Sequence, residues 1–379
     1  MSNVLLFGGG LQSLSLARGL VQRGHWVQNI GDEKSVGKYS KFITKFQSID
    51  LNTITSKDIN IYVQSNSIDV IIPTEDEYAE WLSLHKQEIK FTSCAIVDPE
   101  LFGKVINKSS LLDACKKYNI PHPRTIAIDT DKLEESAKYI GFPALIKPDI
   151  SNGSRGISLV SSLEELKIKA PQIIDHYGTA SLQEYIHNPS HYYNAMLYRY
   201  SDGSYSQAVV TKITRFYPIR GGSSSFCTTI DNASIIRICK KLLEKLNWNG
   251  FADFDILEKG LGDYRIIEIN PRVPASLHAA LVSGIDFGEI IVADMTKQPK
   301  PSLTYYPGRQ LRFLGLDIAW FLASPERFHT HPSWFKFFGK DLYYQEGGIA
   351  DIKAMGYSIW SGIKKQFSPS FRKSKSGMN

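Results

Sequence analysis

The chain has few cysteines, and their spacing excludes two common kinds of small scaffold. Four cysteines occur in 379 residues, and no two of them form a Cys-x-x-Cys pair. Structural zinc sites need closely spaced cysteine and histidine ligands, and disulfide frameworks are typical of short secreted chains. A chain of this length can bury a sizeable hydrophobic core, over roughly two or three domains, without either device.

Signatures of covalent catalysis and of P-loop nucleotide binding are also missing. The sequence contains no Gly-x-Ser-x-Gly turn, and its nine histidines are scattered. Segment 31–39 has glycines and lysines, but it lacks the Walker A spacing and the Ser/Thr that would hold Mg²⁺. His187 and His191 have helical spacing in a strand–turn context, which argues against a zinc pair. The chemistry should therefore need no nucleophile from the protein.

Long hydrophobic runs are absent as well. The best candidate, 311–323, is short and carries Arg312 and Asp317, whereas a membrane-spanning helix needs about 20 apolar residues. The start of the chain reads as a strand running into glycines and not as a signal peptide, so a cytoplasmic protein is expected. The net charge of +6 includes a basic tail at 364–375. No nucleic-acid partner is expected, and a weak contact of this tail with a membrane surface stays open.

Among the features that are present, the apolar run from Tyr264 to Arg272 is the most informative. As a strand it places Glu268, Asn270 and Arg272 on one face, because strand side chains alternate between faces. A carboxylate, an amide oxygen and a guanidinium make a poor core. They suit a divalent cation and the phosphates that it carries.

A second candidate strand, 251–257, precedes this run and carries Asp253 and Asp255. The short glycine-containing turn between the two strands predicts a hairpin. Such a hairpin would bring Asp255 beside Glu268, so that two carboxylates and an amide could share one or two Mg²⁺ ions.

The order of predicted elements gives the fold class. Strands alternate with helices over roughly the first hundred residues, which predicts a parallel α/β sheet. From about residue 125 onward the predicted strands are mostly antiparallel, with helices at 133–140 and 235–246, so the rest is α+β. No internal repeat is present.

Three further segments suit anions. Lys147 lies near the end of an apolar strand, and the small-residue loop 149–156 follows it, so backbone N–H groups and the lysine could hold phosphate. Segment 211–225, expected as a loop, contains Lys212 and Arg215. Gly8 to Ser13 nearly matches the dinucleotide fingerprint, with Asp32 as the ribose acid. The alternatives are a solvated strand-end lysine, a flexible basic loop and a tight turn without cofactor.

Taken in order, these segments resemble the ATP-grasp superfamily from residue 1 to about 297, and most closely its stand-alone carbamoyl-phosphate-synthase-like and carboxylate–amine ligase members. The motifs that carry the resemblance are 71–77, 268–278 and 283–287. It implies an ATP-grasp fold, α/β and then α+β, with the following parts: a Rossmann-like pre-ATP-grasp domain at 1–105, a lid subdomain at 106–185, an antiparallel catalytic subdomain at 186–300, and an aromatic-rich extension with a basic tail at 301–379.

The resemblance also implies roles for individual residues. Asp255, Glu268 and Asn270 match the metal ligands. Arg272 matches the arginine that stabilises the acyl-phosphate step, and Lys212 and Arg215 fall in the loop that often meets the γ-phosphate or the substrate. The implied nucleotide-binding residues are two phosphate-contacting lysines, a mobile lid, a hinge that reads adenine through backbone groups and a residue near the ribose: Lys108 and Lys147; Ser151, Asn152, Gly153, Ser154, Arg155 and Gly156; Gln183, Glu184, Tyr185 and Ile186; and His191, where many members carry an acid.

The activity implied by the resemblance is that of an ATP-dependent carboxylate–amine ligase. Its substrates are a small-molecule carboxylate and an amine, and its cofactors are ATP and Mg²⁺ or Mn²⁺. The carboxylate attacks the γ-phosphate to give an acyl phosphate and ADP, and the amine then displaces phosphate. A homodimer is a candidate assembly.

Three alternatives stay open. Activation of bicarbonate or carbamate, as in carbamoyl-phosphate synthases and carboxylases, is disfavoured because the chain lacks duplicated halves. A nicotinamide-dependent oxidoreductase built on Gly8 to Ser13 leaves the Asp255, Glu268 and Asn270 set without a role. A non-catalytic nucleotide-binding protein is disfavoured because the metal set is complete.

Overall fold

The computed structural model describes residues 1–151, 155–187, 191–219, 222–347 and 349–367. Their strands form sheets of five, four and seven members, each built mainly from a different stretch of the chain. The four-stranded sheet carries Lys147, and the seven-stranded sheet carries Asp255, Glu268 and Asn270 of the candidate site.

The first sheet is parallel, with strand order β3-β2-β1-β4-β5. Its strands are β1 (Asn3–Phe7), β2 (Trp26–Gly31), β3 (Lys45–Ser48), β4 (Val70–Pro73) and β5 (Ser93–Cys94). The helices of this region are α1 (Leu11–Gln22), α2 (Ser56–Ser65), α3 (Asp76–Leu84) and α4 (Pro99–Ile106). All four residues of β4 are buried, as expected for a parallel strand covered on both faces. The predicted α/β start of the chain is confirmed.

The second sheet is antiparallel, with strand order β6-β9-β7-β8. Its strands are β6 (Thr125–Ala127), β7 (Ala144–Pro148), β8 (Ser158–Val160) and β9 (Ala180–Glu184). The helices here are α5 (Lys108–Lys117), α6 (Leu133–Ile140) and α7 (Leu163–Tyr177). Apolar side chains of α6 and α7 pack on the sheet in a separate core that includes Ile146, Val160 and Leu182. The helix predicted at 133–140 has the predicted bounds.

The third sheet has strand order β14-β13-β10-β11-β12-β15-β16 and is antiparallel except for the pair β15–β16. Its strands are β10 (Tyr192–Arg199), β11 (Val209–Tyr217), β12 (Ser223–Ile230), β13 (Gly250–Glu258), β14 (Tyr264–Asn270), β15 (Gln310–Arg312) and β16 (Leu342–Tyr344). The helices are α8 (Ala233–Lys245), α9 (His278–Val282), α10 (Phe287–Met295), α11 (Leu314–Ala323) and α12 (Ile352–Phe367). In α8, Ile235, Cys239 and Leu242 form a fully buried stripe at helical spacing and join the core of this region.

Two predictions differ from this architecture. Segment 211–225, expected as a loop, is mostly the strand pair β11–β12, whose ladder runs from Val210 paired with Ile230 to Tyr217 paired with Ser223. Most residues of β11 and half of those of β12 are buried. The cations and glycines of this segment had suggested an exposed loop. The boundary at residue 300 separates strands of one sheet, because β15 pairs with β12.

No single helix among the described residues combines the length and apolar character needed to cross a membrane. Two consecutive helical segments, Ala275–Val282 and Phe287–Met295, are together long and apolar enough to cross a membrane, but the chain bends by 94° between them.

Candidate active site

The centre of the site is the β13–β14 hairpin. Asp255 lies opposite Glu268 in the strand register, and Asp253 lies opposite Asn270. A register shift follows Asp255, and such irregularities re-aim side chains at functional positions. The predicted hairpin is confirmed, and with it the placement of Asp255 beside Glu268.

A cavity of about 330 Å³ adjoins this hairpin. The predicted site residues in its wall are Lys108, Lys147, Ser151, Asp255, Glu268, Asn270 and Arg272. Lys108 and Lys147 are only 6% and 7% exposed. The start of α5 is joined to the end of β7 because the Lys108 N–H donates to the Asp149 carbonyl over 2.9 Å. Two buried cations and two carboxylates therefore share one cavity.

The charges in this space perturb one another. Burial, together with the charge of Glu268, raises the pKa of Asp255 to about 7. The pKa of Asp253 is also raised by burial and by Asp255, and its Oδ1 atom has no hydrogen-bond partner among the residues that the structure describes. Burial and the neighbouring Lys108 lower the pKa of Lys147 to about 8. A bound cation beside the carboxylates and an anion beside the lysines would relieve both effects.

The donor set suits Mg²⁺. Within the described ranges, no group of three or more histidine, cysteine, aspartate or glutamate side chains is arranged to hold a metal ion. The predicted ligands Asp255, Glu268 and Asn270 are instead two carboxylates and one amide, all with oxygen donors. Magnesium takes few protein oxygens and keeps water and substrate phosphate as its other ligands. The unpartnered Asp253 carboxylate oxygen in the same wall adds a further acceptor.

Stability without metal should depend on pH through Asp255. Its pKa is about 7 in the folded protein, against 3.8 for an unperturbed aspartate, so the folded state binds more protons than the unfolded state between these values. The stability contribution is complete below pH 4 and is lost as the pH rises through 7. In EDTA at pH 8, Asp255→Asn should be more stable than the wild type by roughly 2–4 kcal/mol.

Thermal melts from pH 4 to pH 8 measure this difference, with the exposed Asp231→Asn as a matched control that should leave the melting temperature unchanged. A lower melting temperature for Asp255→Asn than for the wild type at pH 8 would show that the carboxylate is not strained. Added Mg²⁺ should stabilise the wild type more than Asp255→Asn.

Arg272 is held in place by the N-terminal region. Its Nε donates to Asp76 Oδ1 over 2.7 Å, and its Nη2 donates to Asn270 Oδ1 over 3.4 Å. Asp76 begins α3, directly after β4 of the parallel sheet. The guanidinium therefore belongs to the cavity wall with a fixed orientation, and it also lines a neighbouring hollow that includes Arg155.

The residues predicted to hold adenine and ribose lie outside the wall of this cavity. Gln183 is buried and donates through Nε2 to Thr125 Oγ1 over 3.0 Å. Glu184 forms ion pairs with Arg124 and Lys259. His191 Nδ1 lies 2.8 Å from Glu258 Oε2. Tyr185 and Ile186 follow β9, and the hinge assignment for 183–186 stays a prediction.

The predicted lid is described only in part. Asn152, Gly153 and Ser154 lie outside the described residues. The Ser151 carbonyl accepts a hydrogen bond from Lys108 Nζ over 2.8 Å, and its buried hydroxyl has no hydrogen-bond partner within the described part of the chain. Gly156 has φ +72°, and a Cβ there would lie 2.7 Å from Pro148 Cγ. Glycine is therefore required where the segment meets the end of β7.

The two cations predicted in segment 211–225 do not reach the cavity wall. Arg215 is 1% exposed, and its Nε and Nη2 donate to the two carboxylate oxygens of Asp317 over 2.7 and 3.1 Å. Lys212 lies in β11 opposite Tyr193 and Thr228, on the other face of the strand from the wall residue Ile213. The charge of Arg215 is paired within the fold, and its contact with the transferring phosphate stays a prediction.

Sequence reasoning missed several residues of the cavity wall. Asp253 is two residues before Asp255 on the same strand, so the alternation of side chains alone could have placed both on the face that lines the site. Tyr192 forms a hydrogen bond with Asp255, and Asn194 Nδ2 donates to the same carboxylate. Ser223, Ser224 and Ser225 lie in segment 211–225, which was predicted to suit anions, and Asp76 lies in motif 71–77, but none of them was assigned individually. No local signal marks Gln345.

The glycine turn after β1 is occupied by protein groups. The Gly9 N–H donates to Glu75 Oε2 over 2.7 Å. A Cβ on Gly9 would lie 1.9 Å from Ser35 Oγ, so the backbone and Ser35 are in close contact. A dinucleotide pyrophosphate would have to displace a carboxylate and a packed side chain from this turn.

Comparison with known proteins gives a consistent result. Residues 204–312 match the family model described as ATP-grasp in the biosynthetic pathway with Ter operon. The D-aspartate ligase of Enterococcus faecium is 26% identical over 258 residues, covering 62% of this chain and 61% of that protein. The chain thus matches less than two thirds of this relative's length.

Two solved structures have a similar fold. The N5-carboxyaminoimidazole synthetase of Staphylococcus aureus with ADP has a TM-score of 0.68 at 16% identity, covering 90% of each chain. The biotin carboxylase domain of the Hydrogenobacter thermophilus 2-oxoglutarate carboxylase, with MgADP and bicarbonate, has a TM-score of 0.67 at 15% identity, covering 81% of this chain and 72% of that one.

These likenesses, with the two antiparallel sheets described above, define an ATP-grasp fold. The family match over residues 204–312 and the similarity to the D-aspartate ligase agree with this fold.

Proposed function

We propose that this protein is an ATP-dependent carboxylate–amine ligase that forms an acyl phosphate and releases ADP and phosphate. The observation that carries the proposal is the shared cavity, in which Asp255 and Glu268 face the same space as Lys108 and Lys147. Paired carboxylates beside buried cations are what phosphoryl transfer requires, because charge stabilisation and positioning supply most of its catalysis.

The roles of the residues follow from their placement. Lys108 and Lys147 hold the phosphates of ATP as point charges. Asp255, Glu268 and Asn270 would hold Mg²⁺, which neutralises charge on the phosphates when bound. Arg272, oriented by Asp76, stabilises the negative charge of the carboxylate and of the phosphoryl group that it receives. The amine then attacks the acyl carbon, and phosphate leaves.

Burial of the site supports an acyl phosphate, which water would hydrolyse. Both lysines are over nine-tenths buried before any substrate is present. Closure of the segment around Ser151 over the phosphates would exclude water further. The proposal also agrees with the D-aspartate ligase relative, whose name describes ligation.

The other activities have less support. An oxidoreductase would need the glycine turn that Glu75 contacts through the Gly9 N–H. A non-catalytic protein would have no need for the strained Asp255–Glu268 pair. Bicarbonate activation has weaker sequence support, because the carbamoyl phosphate synthase large chain of Methanospirillum hungatei is 24% identical over 188 residues, against 26% over 258 residues for the D-aspartate ligase. The carboxylase-type structures are 15–16% identical and support the fold.

The proposal predicts ADP and phosphate as products. Protein incubated with Mg-ATP and a panel of carboxylates and amines should release ADP above its background rate with at least one pair, together with a condensed product seen by mass spectrometry. Release of AMP would contradict an acyl phosphate, because that route transfers the γ-phosphoryl group. The test includes bicarbonate alone, and turnover with it and no amine would favour the carboxylase-like alternative.

A further inference from the structure

The C-terminal region supplies part of the cavity wall. Leu311, Phe313 and Gln345 line the same cavity as the carboxylates and lysines. The family match ends at residue 312, so Phe313 and Gln345 lie beyond it. Gln345 directly follows β16, and its N–H donates to the Arg312 carbonyl over 2.8 Å. A segment outside the matched region thus brings a polar side chain into the site.

The Gln345 side chain is buried without a hydrogen-bond partner. It is 2% exposed, and neither Nε2 nor Oε1 has a partner among the described residues. More than nine in ten buried polar groups in proteins are hydrogen-bonded, because desolvation without compensation is costly. An amide with both ends unpaired in a cavity wall therefore indicates a binding group for a ligand.

The backbone on either side of Gln345 is anchored, so its side chain cannot easily turn toward solvent. Arg18 Nη2, from α1, donates to the carbonyl of Glu346 over 2.9 Å. The Gly315 N–H donates to Glu346 Oε1 over 3.1 Å. Contacts from the N-terminal region and from the start of α11 therefore hold the Gln345 amide at the cavity.

The chemistry of the amide limits what it can recognise. Gln345 offers two N–H donors on one atom and an acceptor on the other, and it carries no charge. Leu311 and Phe313, which line the same cavity from the C-terminal region, are apolar. A carboxamide has the same pair of functions in reverse, so it can satisfy both ends of Gln345 without burying a net charge.

We propose that Gln345 is a specificity-determining residue that binds an uncharged carboxamide-type group on the substrate. This inference rests on the proposed function, since the group belongs to a molecule whose carboxylate or amine reacts beside Glu268. Amino acids are suitable probes because each carries both reacting groups. Asparagine and glutamine bear the carboxamide, aspartate and glutamate are their charged counterparts, and leucine and methionine are apolar counterparts of similar size.

Calorimetric titration tests the inference directly. Both enantiomers of each amino acid are titrated into full-length wild-type protein and Gln345→Met, with Mg²⁺ and a non-hydrolysable ATP analogue. Asparagine or glutamine should bind the wild type at least about tenfold more tightly than its apolar counterpart, and Gln345→Met should lose about tenfold for the carboxamide alone. The inference is overturned by absent carboxamide binding, by preference for the charged or apolar counterpart, or by equal binding to Gln345→Met.

Two further measurements separate the possible failures. The melting temperature of Gln345→Met should equal or exceed that of the wild type, because methionine has no unpaired polar atoms, and a large decrease would mean that the glutamine is structural. ADP release is measured on the same amino acids. If the wild type binds the carboxamide and Gln345→Met does not, but the wild type forms no ADP, the result supports the inference and contradicts the ligase activity. If the wild type forms ADP but both proteins bind the carboxamide equally, the result supports the ligase activity and contradicts the role of Gln345.

Discussion

Replacing Glu268 by glutamine should reduce ADP formation roughly 100- to 1,000-fold and leave the protein folded. The substitution keeps the size of the side chain and removes one of the two facing carboxylates in the β13–β14 hairpin. It leaves Asp255 without the like charge that helps to raise its pKa, so the metal-free protein should be as stable as the wild type or more stable. Loss of activity with no loss of stability is the behaviour expected of a residue that holds the metal ion beside the reacting phosphates.

The control for Glu268→Gln is Glu244→Gln on α8, which is exposed and should keep full activity. Both variants are assayed for ADP release and for Mg²⁺-dependent stabilisation by ADP. If Glu268→Gln retains turnover, the assignment of metal ligands to the hairpin is wrong. If Glu268→Gln loses turnover and is also less stable, its Mg²⁺ affinity is measured at low temperature, where the variant is folded. Wild-type Mg²⁺ affinity there would contradict the assignment of Glu268 as a metal ligand.

The parts of the site that could be predicted from the sequence are those fixed by short-range rules. Alternation along β14 placed Glu268 and Asn270 on one face, and a short glycine-containing turn implied the pairing with Asp255. For Lys147, near the end of an apolar strand, the sequence left a solvated lysine and a phosphate-binding lysine as alternatives, and the structure shows a buried side chain. The inferences about the hairpin need only a strand, a turn and the rule that every second side chain of a strand lies on the same face.

The rest of the site depends on contacts between distant parts of the chain. Nothing near Arg215 in the sequence reveals that it forms an ion pair with Asp317, 102 positions away. Gln345 enters the cavity because residues after β16 are anchored to Arg18, which is 328 positions from the carbonyl that it contacts. Composition marked the region after 300 as aromatic, but it could not show that β15 extends the large sheet.

The second large effect concerns this buried network. Asp317 is fully buried, and it receives Arg215 at 2.7 Å and Arg312 at 2.7 Å. The Arg215 guanidinium also lies 4.0 Å from the centre of the Phe226 ring. Two cations thus depend on one carboxylate in a region without solvent. Breaking one partner of such a group leaves an uncompensated buried charge.

Arg215→Met should therefore destabilise the protein by roughly 3–5 kcal/mol, and Asp317→Asn should cost more, because it leaves both arginines without a carboxylate. The matched control is Lys212→Met on the same strand, which removes a cation that is only partly buried and should change stability by less than about 1 kcal/mol. Urea unfolding measures the three variants, and ADP release at low temperature is measured alongside. If Arg215→Met instead keeps wild-type stability and loses turnover, Arg215 serves the reaction directly. If Arg215→Met and Asp317→Asn both lose stability while the folded fraction keeps its turnover, the charge of Arg215 serves to hold β11 against α11.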